Sequence, residues 1–162
     1  MDYMRSNIEK RLAPCELLPG AKSIISLALN YYPAQLLADD QYQFAYYAYG
    51  KDYHDVMKQR MQELMQTCGL EGRCFVDTAP VLERYWAWKS GIGAITPSGL
   101  IAVPGYGPTV FLGELFLTSE ADSYDAPLPG AMPTKSGCVR GKSSLPMRTE
   151  DCNAPSTSRC MR

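Results

Sequence analysis

Lys22-Ser23-Ile24-Ile25-Ser26-Leu27-Ala28-Leu29 is a nearly continuous apolar run of strand length, preceded by the turn pair Pro19-Gly20 and closed by Pro33. A strand with one wet face alternates polar and apolar residues, so a run without that alternation reads as a strand buried on both faces. Such a strand belongs at the centre of a sheet, and the flanking segments supply its covering layers. From Tyr53 onward, Tyr53, Met57, Leu64 and Cys68 recur at spacings of four, seven and four, with Lys58, Gln59, Gln62 and Glu63 between them. That places them on one face of a helix, with Asp52 at the N-cap and Gly69 just past the C-terminus.

Cys74-Phe75-Val76-Asp77 reads as a short strand, and Thr78 or Ala79 ahead of Pro80 as the start of a helix over residues 81–88. Glu83 then lies near the positive end of that helix, and Gly91 and Gly93 end it. Leu100-Ile101-Ala102-Val103 and Thr109-Val110-Phe111-Leu112 flank Pro104-Gly105-Tyr106-Gly107-Pro108 and are expected to pair as a hairpin. The expected fold is α/β, or α+β, with a mixed sheet covered by helices, a C-terminal hairpin and then an irregular tail.

With 162 residues, 46% hydrophobic and 20% charged, and a net charge of −1, the chain is of ordinary globular composition. A strongly basic nucleic-acid binder is excluded on bulk charge. The longest nearly apolar stretch, residues 24–32, is far shorter than the ~20 residues a membrane helix needs. Residues 1–5 lack the apolar core of a secretory signal, so no membrane association and a cytoplasmic location are expected.

The averages conceal a break. Residues 1–129 hold ten Lys and Arg against fifteen Asp and Glu, net −5, whereas residues 130–162 hold six against two, net +4. After Tyr124 there is no Phe, Tyr, Trp or Ile. Such a segment lacks the apolar surface that offsets ordering entropy, which makes residues 130–162 an irregular tail behind one domain over residues 1–129. Cys15, Cys68 and Cys74 sit among apolar neighbours and are expected to be buried small hydrophobes. Cys138, Cys152 and Cys160, at gaps of 14 and 8, match no compact zinc or iron–sulfur spacing, so no metal ligands are assigned.

Among candidates for chemistry, His54 is the single histidine and cannot build a multi-histidine metal site; on a first helical turn it reads as a surface residue. No GxSxG elbow is present, and Gly91-Ile92-Gly93-Ala94 misses the third glycine of a dinucleotide loop. The Trp86/Trp88 and Tyr46/Tyr47/Tyr49 clusters read as packing. Asp77 is the best catalytic candidate. A strand-end carboxylate among apolar neighbours is pushed toward its neutral form and can deliver a proton near neutral pH. The competing reading is an aspartate that caps the following helix.

Five collinear strings resemble the epoxyqueuosine reductases: Ile8-Glu9-Lys10-Arg11-Leu12; Leu18-Pro19-Gly20-Ala21-Lys22-Ser23-Ile24-Ile25; Gly50-Lys51-Asp52-Tyr53-His54; Val76-Asp77-Thr78-Ala79-Pro80-Val81-Leu82-Glu83-Arg84; and Tyr106-Gly107 with Phe111-Leu112-Gly113-Glu114. The resemblance covers about residues 1–118. It implies an oxidoreductase that reduces epoxyqueuosine to queuosine in tRNA, using cobalamin and [4Fe–4S] clusters fed by an electron donor. It implies Asp77 as the proton donor, with Arg11, Ala45, Asp77, Ile101 and Leu112 at the cobalamin and Arg84 facing the tRNA. Arg11 would answer the polar groups of the corrin, and Ile101 and Leu112 would pack on its apolar face.

The chain departs from the family pattern in three places. Family members carry a further segment ahead of the counterpart of Met1. A glycine turn that continues Gly-Lys-Asn in the family reads Thr96-Pro97-Ser98 here. The CxxCxxCxxxCP module expected near residues 130–138 is not found in the sequence, which gives a degenerate or out-of-frame reading for residues 130–162. The alternative function is therefore a truncated, non-catalytic relic that at most binds corrin or tRNA.

Overall fold

The computed structural model describes residues 8–38, 40–128 and 159–161. Helix α1 spans Ile8–Leu12, β1 Ser23–Asn30, α2 Tyr53–Cys68, β2 Gly72–Phe75, α3 Glu83–Lys89, β3 Ala94–Ile95, β4 Ile101–Ala102, β5 Val110–Leu117 and β6 Arg159–Met161. The expected α/β class holds. The larger sheet has the order β2-β5-β1-β6, and every strand pairing in it is antiparallel.

The opening apolar run is β1, and it lies between β5 and β6. It pairs with β5 over all eight of its residues, from Ser23 opposite Leu117 to Asn30 opposite Val110. Alternation along the pleat sends Ile25, Leu115 and Leu117 to one face, where they meet Met57 and Met61 of α2. Ile24 and Phe116 point to the other face, against Phe75, Val81 and Trp86, with Ala28 beside Ala87 further along. Helices cover both faces, which is why β1 shows no polar alternation.

Gly113 lets α2 approach closely. A Cβ there would stand 2.8 Å from the Met57 Cε and 3.0 Å from the Met61 Sδ. Helix α2 begins and ends as its sequence indicates: the Asp52 side chain accepts the His54 backbone N–H, and Gly69 takes the left-handed conformation with φ 62°.

Three expectations are corrected. The helix does not start at Pro80. Thr78 N–H bonds to the Val76 carbonyl and Val81 N–H to the Ala79 carbonyl, giving two tight three-residue turns before α3 opens at Glu83. Ala79 precedes a proline and is steered away from the helical region, and Val81 is drawn into the core instead. The hairpin also forms elsewhere: β4 pairs with β3, Ile95 opposite Ile101, around a turn at residues 96–100 in which Gly99 has φ 79°. Strand β5 runs past Leu112 to Leu117 and joins the eight-residue ladder with β1, which offers far more pairing than two-residue β4.

The cysteines are the third correction. Cys15 and Cys68 are exposed and Cys74 is partly buried. Cys15 falls in the turn after α1, and the buried face of α2 is supplied by Met57 and Met61. The readings of the tail and of Cys138 and Cys152 lie outside the described residues. Residues 159–161 pair with β1 at Ile24–Ser26. No helix among the described residues is long and apolar enough to cross a membrane.

One polar pair interrupts the core. Ser26 and Glu114 are opposite each other in the ladder, both fully buried, and the Ser26 hydroxyl and both Glu114 carboxyl oxygens have no hydrogen-bond partner among the described residues. Burial pushes the Glu114 carboxyl well above the usual glutamate range, and nearby Glu83 pushes it the same way. A carboxyl raised on folding binds more protons in the native state, so its contribution to stability falls as pH rises above the ordinary glutamate value. Glu114→Gln removes that dependence. In urea unfolding at a series of pH values, the variant should gain on the parent as pH rises, by at most about 1.4 kcal/mol per pH unit; a difference independent of pH would contradict this account.

Candidate functional site

Asp77 follows β2 by two residues, with φ 53°, and is the one described residue other than glycine with positive φ. The bond from Thr78 N–H to the Val76 carbonyl closes a three-residue turn around it. A three-residue turn with positive φ at its centre is the rare, strained form, and strain at a polar residue is a pointer to function. Neither Asp77 nor any other side chain caps α3, whose N-cap position is Leu82. The side chain of Asp77 is 68% exposed, so it is not enclosed by apolar neighbours as its sequence setting indicates.

Tyr53, at the start of α2, holds this carboxylate. Its hydroxyl donates to Asp77 Oδ2 at 2.7 Å. The Tyr53 ring lies flat on Phe111 of β5, with centroids 4.0 Å apart and planes 5° apart, and Phe111 in turn meets Tyr31 at 4.5 Å. The stacked rings fix the direction of the hydroxyl. Burial first, then the hydrogen bond to Asp77 and its charge, push the Tyr53 phenol up to about 12. On the other side of Tyr53, the His54 ring stacks at 4.0 Å; its Nδ1 is 2.8 Å from Asp52 Oδ1 and its Nε2 3.9 Å from Asp77 Oδ2.

A cavity of about 590 Å³ opens beside this group. Arg11, Asp77, Arg84, Ile101 and Leu112 all line it, so five of the six residues singled out in the sequence meet at one place. Ala45 does not: it is exposed, just ahead of a short turn at Tyr46–Ala48 in the long segment between β1 and α2. Ile101 and Leu112 come together across the cavity wall although their strands are not paired with each other. The Nε of Arg11 is buried without a hydrogen-bond partner among the described residues. Arg84 sits at the rim, where its Nη1 donates to the Gly99 carbonyl at 3.0 Å and ties α3 to the β3–β4 turn.

Three residues of the site were not singled out as functional in the sequence. Tyr53 reads there as one more apolar position on a helix face, and His54 as a surface residue. Both follow the cap residue Asp52, and side chains on a first turn project past the helix end, which here faces the turn after β2. Glu83 also lines the cavity. Burial pushes its carboxyl up and Asp77 pushes in the same direction, while Arg11 and Arg84 pull it down.

The cavity thus combines an aromatic wall, apolar strand residues, two guanidiniums and two carboxyl groups. It suits a ligand with a broad apolar face and polar edges, with the Asp77 carboxyl at one side. No group of three or more His, Cys, Asp or Glu residues among the described residues is arranged to hold a metal ion.

Residues 11–78 match the family described as epoxyqueuosine reductase QueG, DUF1730. The epoxyqueuosine reductase of Cellulophaga algicola is 40% identical over 144 residues, covering 86% of this chain and 47% of that protein. Among solved structures, the epoxyqueuosine reductase of Streptococcus thermophilus superposes with a TM-score of 0.67 at 29% identity, over 74% of this chain and 35% of the other. An epoxyqueuosine reductase crystallised with an epoxyqueuosine-modified tRNA stem loop gives 0.67 at 32% identity, over 75% of this chain and 35% of the other. The chain is thus similar in sequence and in fold to one part of the epoxyqueuosine reductases. It spans less than half the length of the curated relatives it matches.

The link between Tyr53 and Asp77 predicts a coupled titration. Asp77→Asn removes the charge that opposes tyrosinate and replaces the carboxylate acceptor with a weaker amide oxygen, so Tyr53 should titrate below its parent value near 12. Burial, the larger cause, keeps it above the ordinary value of ~10. NMR of ring-labelled tyrosine reads this directly, and an unchanged Tyr53 midpoint in Asp77→Asn would show that the two groups are not coupled.

Proposed function

We propose that this chain forms the cavity and the proton donor of an epoxyqueuosine reductase, with residues 1–129 as part of its cobalamin-binding catalytic domain. The substrate is tRNA carrying epoxyqueuosine. The observation that carries this reading is Asp77, held at the cavity wall in a strained turn and gripped by Tyr53. The names of the relatives and the fold shared with a reductase bound to a modified stem loop support the choice of reaction and substrate.

Removing an epoxide oxygen as water takes up two electrons and two protons, and the oxygen must be protonated as its bond to carbon breaks. Asp77 in its acid form gives the first proton to that oxygen and is left as a carboxylate, and solvent, which reaches its exposed side chain, supplies the second. Tyr53 sets the direction of the carboxyl. Cobalamin, held at this cavity, would supply the reducing power that the reaction needs. The residues present fit part of a corrin: Ile101 and Leu112 offer an apolar surface, and the unpartnered Nε of Arg11 is a donor for its polar edge. Arg84, on the rim, is placed for tRNA phosphate.

Cys15, Cys68 and Cys74 do not fit a [4Fe–4S] cluster, which needs four converging thiolates, and the electrons are assigned to a donor outside the described residues. That same observation favours the second reading, a non-catalytic relic that at most binds corrin or tRNA.

Anaerobic turnover of an epoxyqueuosine-containing stem loop, with cobalamin and a chemical reductant supplied, tests the proposal. Queuosine should form, and Asp77→Asn should slow its formation about 100-fold or more. An Asp77→Asn variant as active as the parent rejects Asp77 as the acid. Cobalamin binding without turnover under any reductant selects the second reading.

A further inference from the structure

An acid that spends its proton must recover it before the next turnover, and the start of α2 carries a device for this. Asp52 Oδ1 accepts both the His54 backbone N–H, at 2.9 Å, and the imidazole Nδ1 contact, at 2.8 Å. The same ring is stacked on Tyr53. Two contacts therefore fix the imidazole, and they leave Nε2 as the nitrogen that faces Asp77 Oδ2 across 3.9 Å. Asp52 takes the proton on Nδ1, so Nε2 is the position that exchanges protons. The side chain is 28% exposed, enough to exchange with water.

We propose that His54, aligned by Asp52, is the residue that returns a proton to Asp77 after each delivery. The inference rests on Asp77 being the acid of the reaction. A proton from water binds Nε2 to give an imidazolium whose charge is balanced by Asp52. The proton on Nε2 then passes to Asp77 Oδ2, which restores the carboxylic acid and leaves Nε2 with its lone pair. One water can bridge the 3.9 Å gap while Tyr53 keeps its hold on Oδ2. When Oδ2 carries the proton, the Tyr53 hydroxyl changes from donor to acceptor, as a phenol can. Tyr53 is not the source, because a phenol near 12 holds its proton at neutral pH. His54 acts through Asp77 and is a positioning and resupply residue. The charged groups around the imidazole are Asp52 and Asp77, with Asp55 adjacent in the chain and Lys58 one turn along α2.

His54 is the single histidine of the chain, so its imidazole can be followed by NMR without overlap. In the whole chain, Asp77→Asn should shift the His54 ring resonances, since it changes the group that faces Nε2. Asp52→Asn should release the preference for the proton on Nδ1. In turnover with supplied cobalamin and reductant, His54→Gln should slow the reaction about tenfold or more, with added imidazole restoring the variant. His54 ring resonances unmoved by Asp77→Asn, or a His54→Gln variant matching the parent, overturns the relay. If the parent shows no turnover, the function proposed above fails on its own, and the NMR comparison still decides whether His54 and Asp77 act as one unit.

Discussion

The eight-residue antiparallel ladder between β1 and β5 is the constraint on which the other elements depend. Its register decides which side chains face α2 and which face α3, because side chains alternate between faces and a slip of one residue would exchange the two sets. It sets Phe111 on the α2 side, where Tyr53 can lie flat on it, and Leu112 on the opposite side, where it packs with the cluster containing Ile101. One pair of adjacent residues on β5 thus serves both the aromatic wall and the apolar wall of the cavity. Gly113 completes the arrangement by letting α2 sit close enough for its first turn to reach the end of β2.

The site is then built from chain ends. The start of α2, the turn after β2, the start of α3 and the beginning of β5 converge on one cavity, each contributing residues whose backbone positions are fixed by the sheet. Asp77 is held in a backbone conformation that ordinary residues avoid, and two turns of only three residues leave the segment before α3 little freedom to relax. Its exposure keeps the carboxyl accessible to a ligand, while Tyr53 supplies the grip that burial does not. Glu83 and Glu114 form a separate line of carboxyl groups running from the cavity into the core, each raised mainly by burial. Glu114 is the more costly of the two, because neither oxygen finds a partner among the described residues.

Much of this was legible in the sequence. The central strand followed from its apolar run, and α2 from its spacing, its cap at Asp52 and its glycine stop, because these signals are local. Asp77 as the best candidate followed from its place after a strand, although the apolar enclosure expected for it is not there. The hairpin was misplaced because strand partners are chosen by the longest available ladder, and nothing within residues 100–112 reveals that β1 offers one. Local propensity also could not show that Pro80 would serve a tight turn. The roles of Tyr53 and His54 stayed hidden because they depend on a contact across 24 and 23 residues of chain, which no pattern of spacing reports.

The central claim is that the cavity beside Asp77 takes the corrin and brings the acid to the reacting bond. Titration of the chain with cobalamin, followed by the visible absorbance of the corrin, tests it most directly. The account predicts saturable one-to-one binding that Leu112→Glu, which puts a charge on the apolar wall, weakens by about tenfold or more while circular dichroism shows the fold retained. Absence of binding by the folded parent, or equal binding by parent and variant, would contradict it.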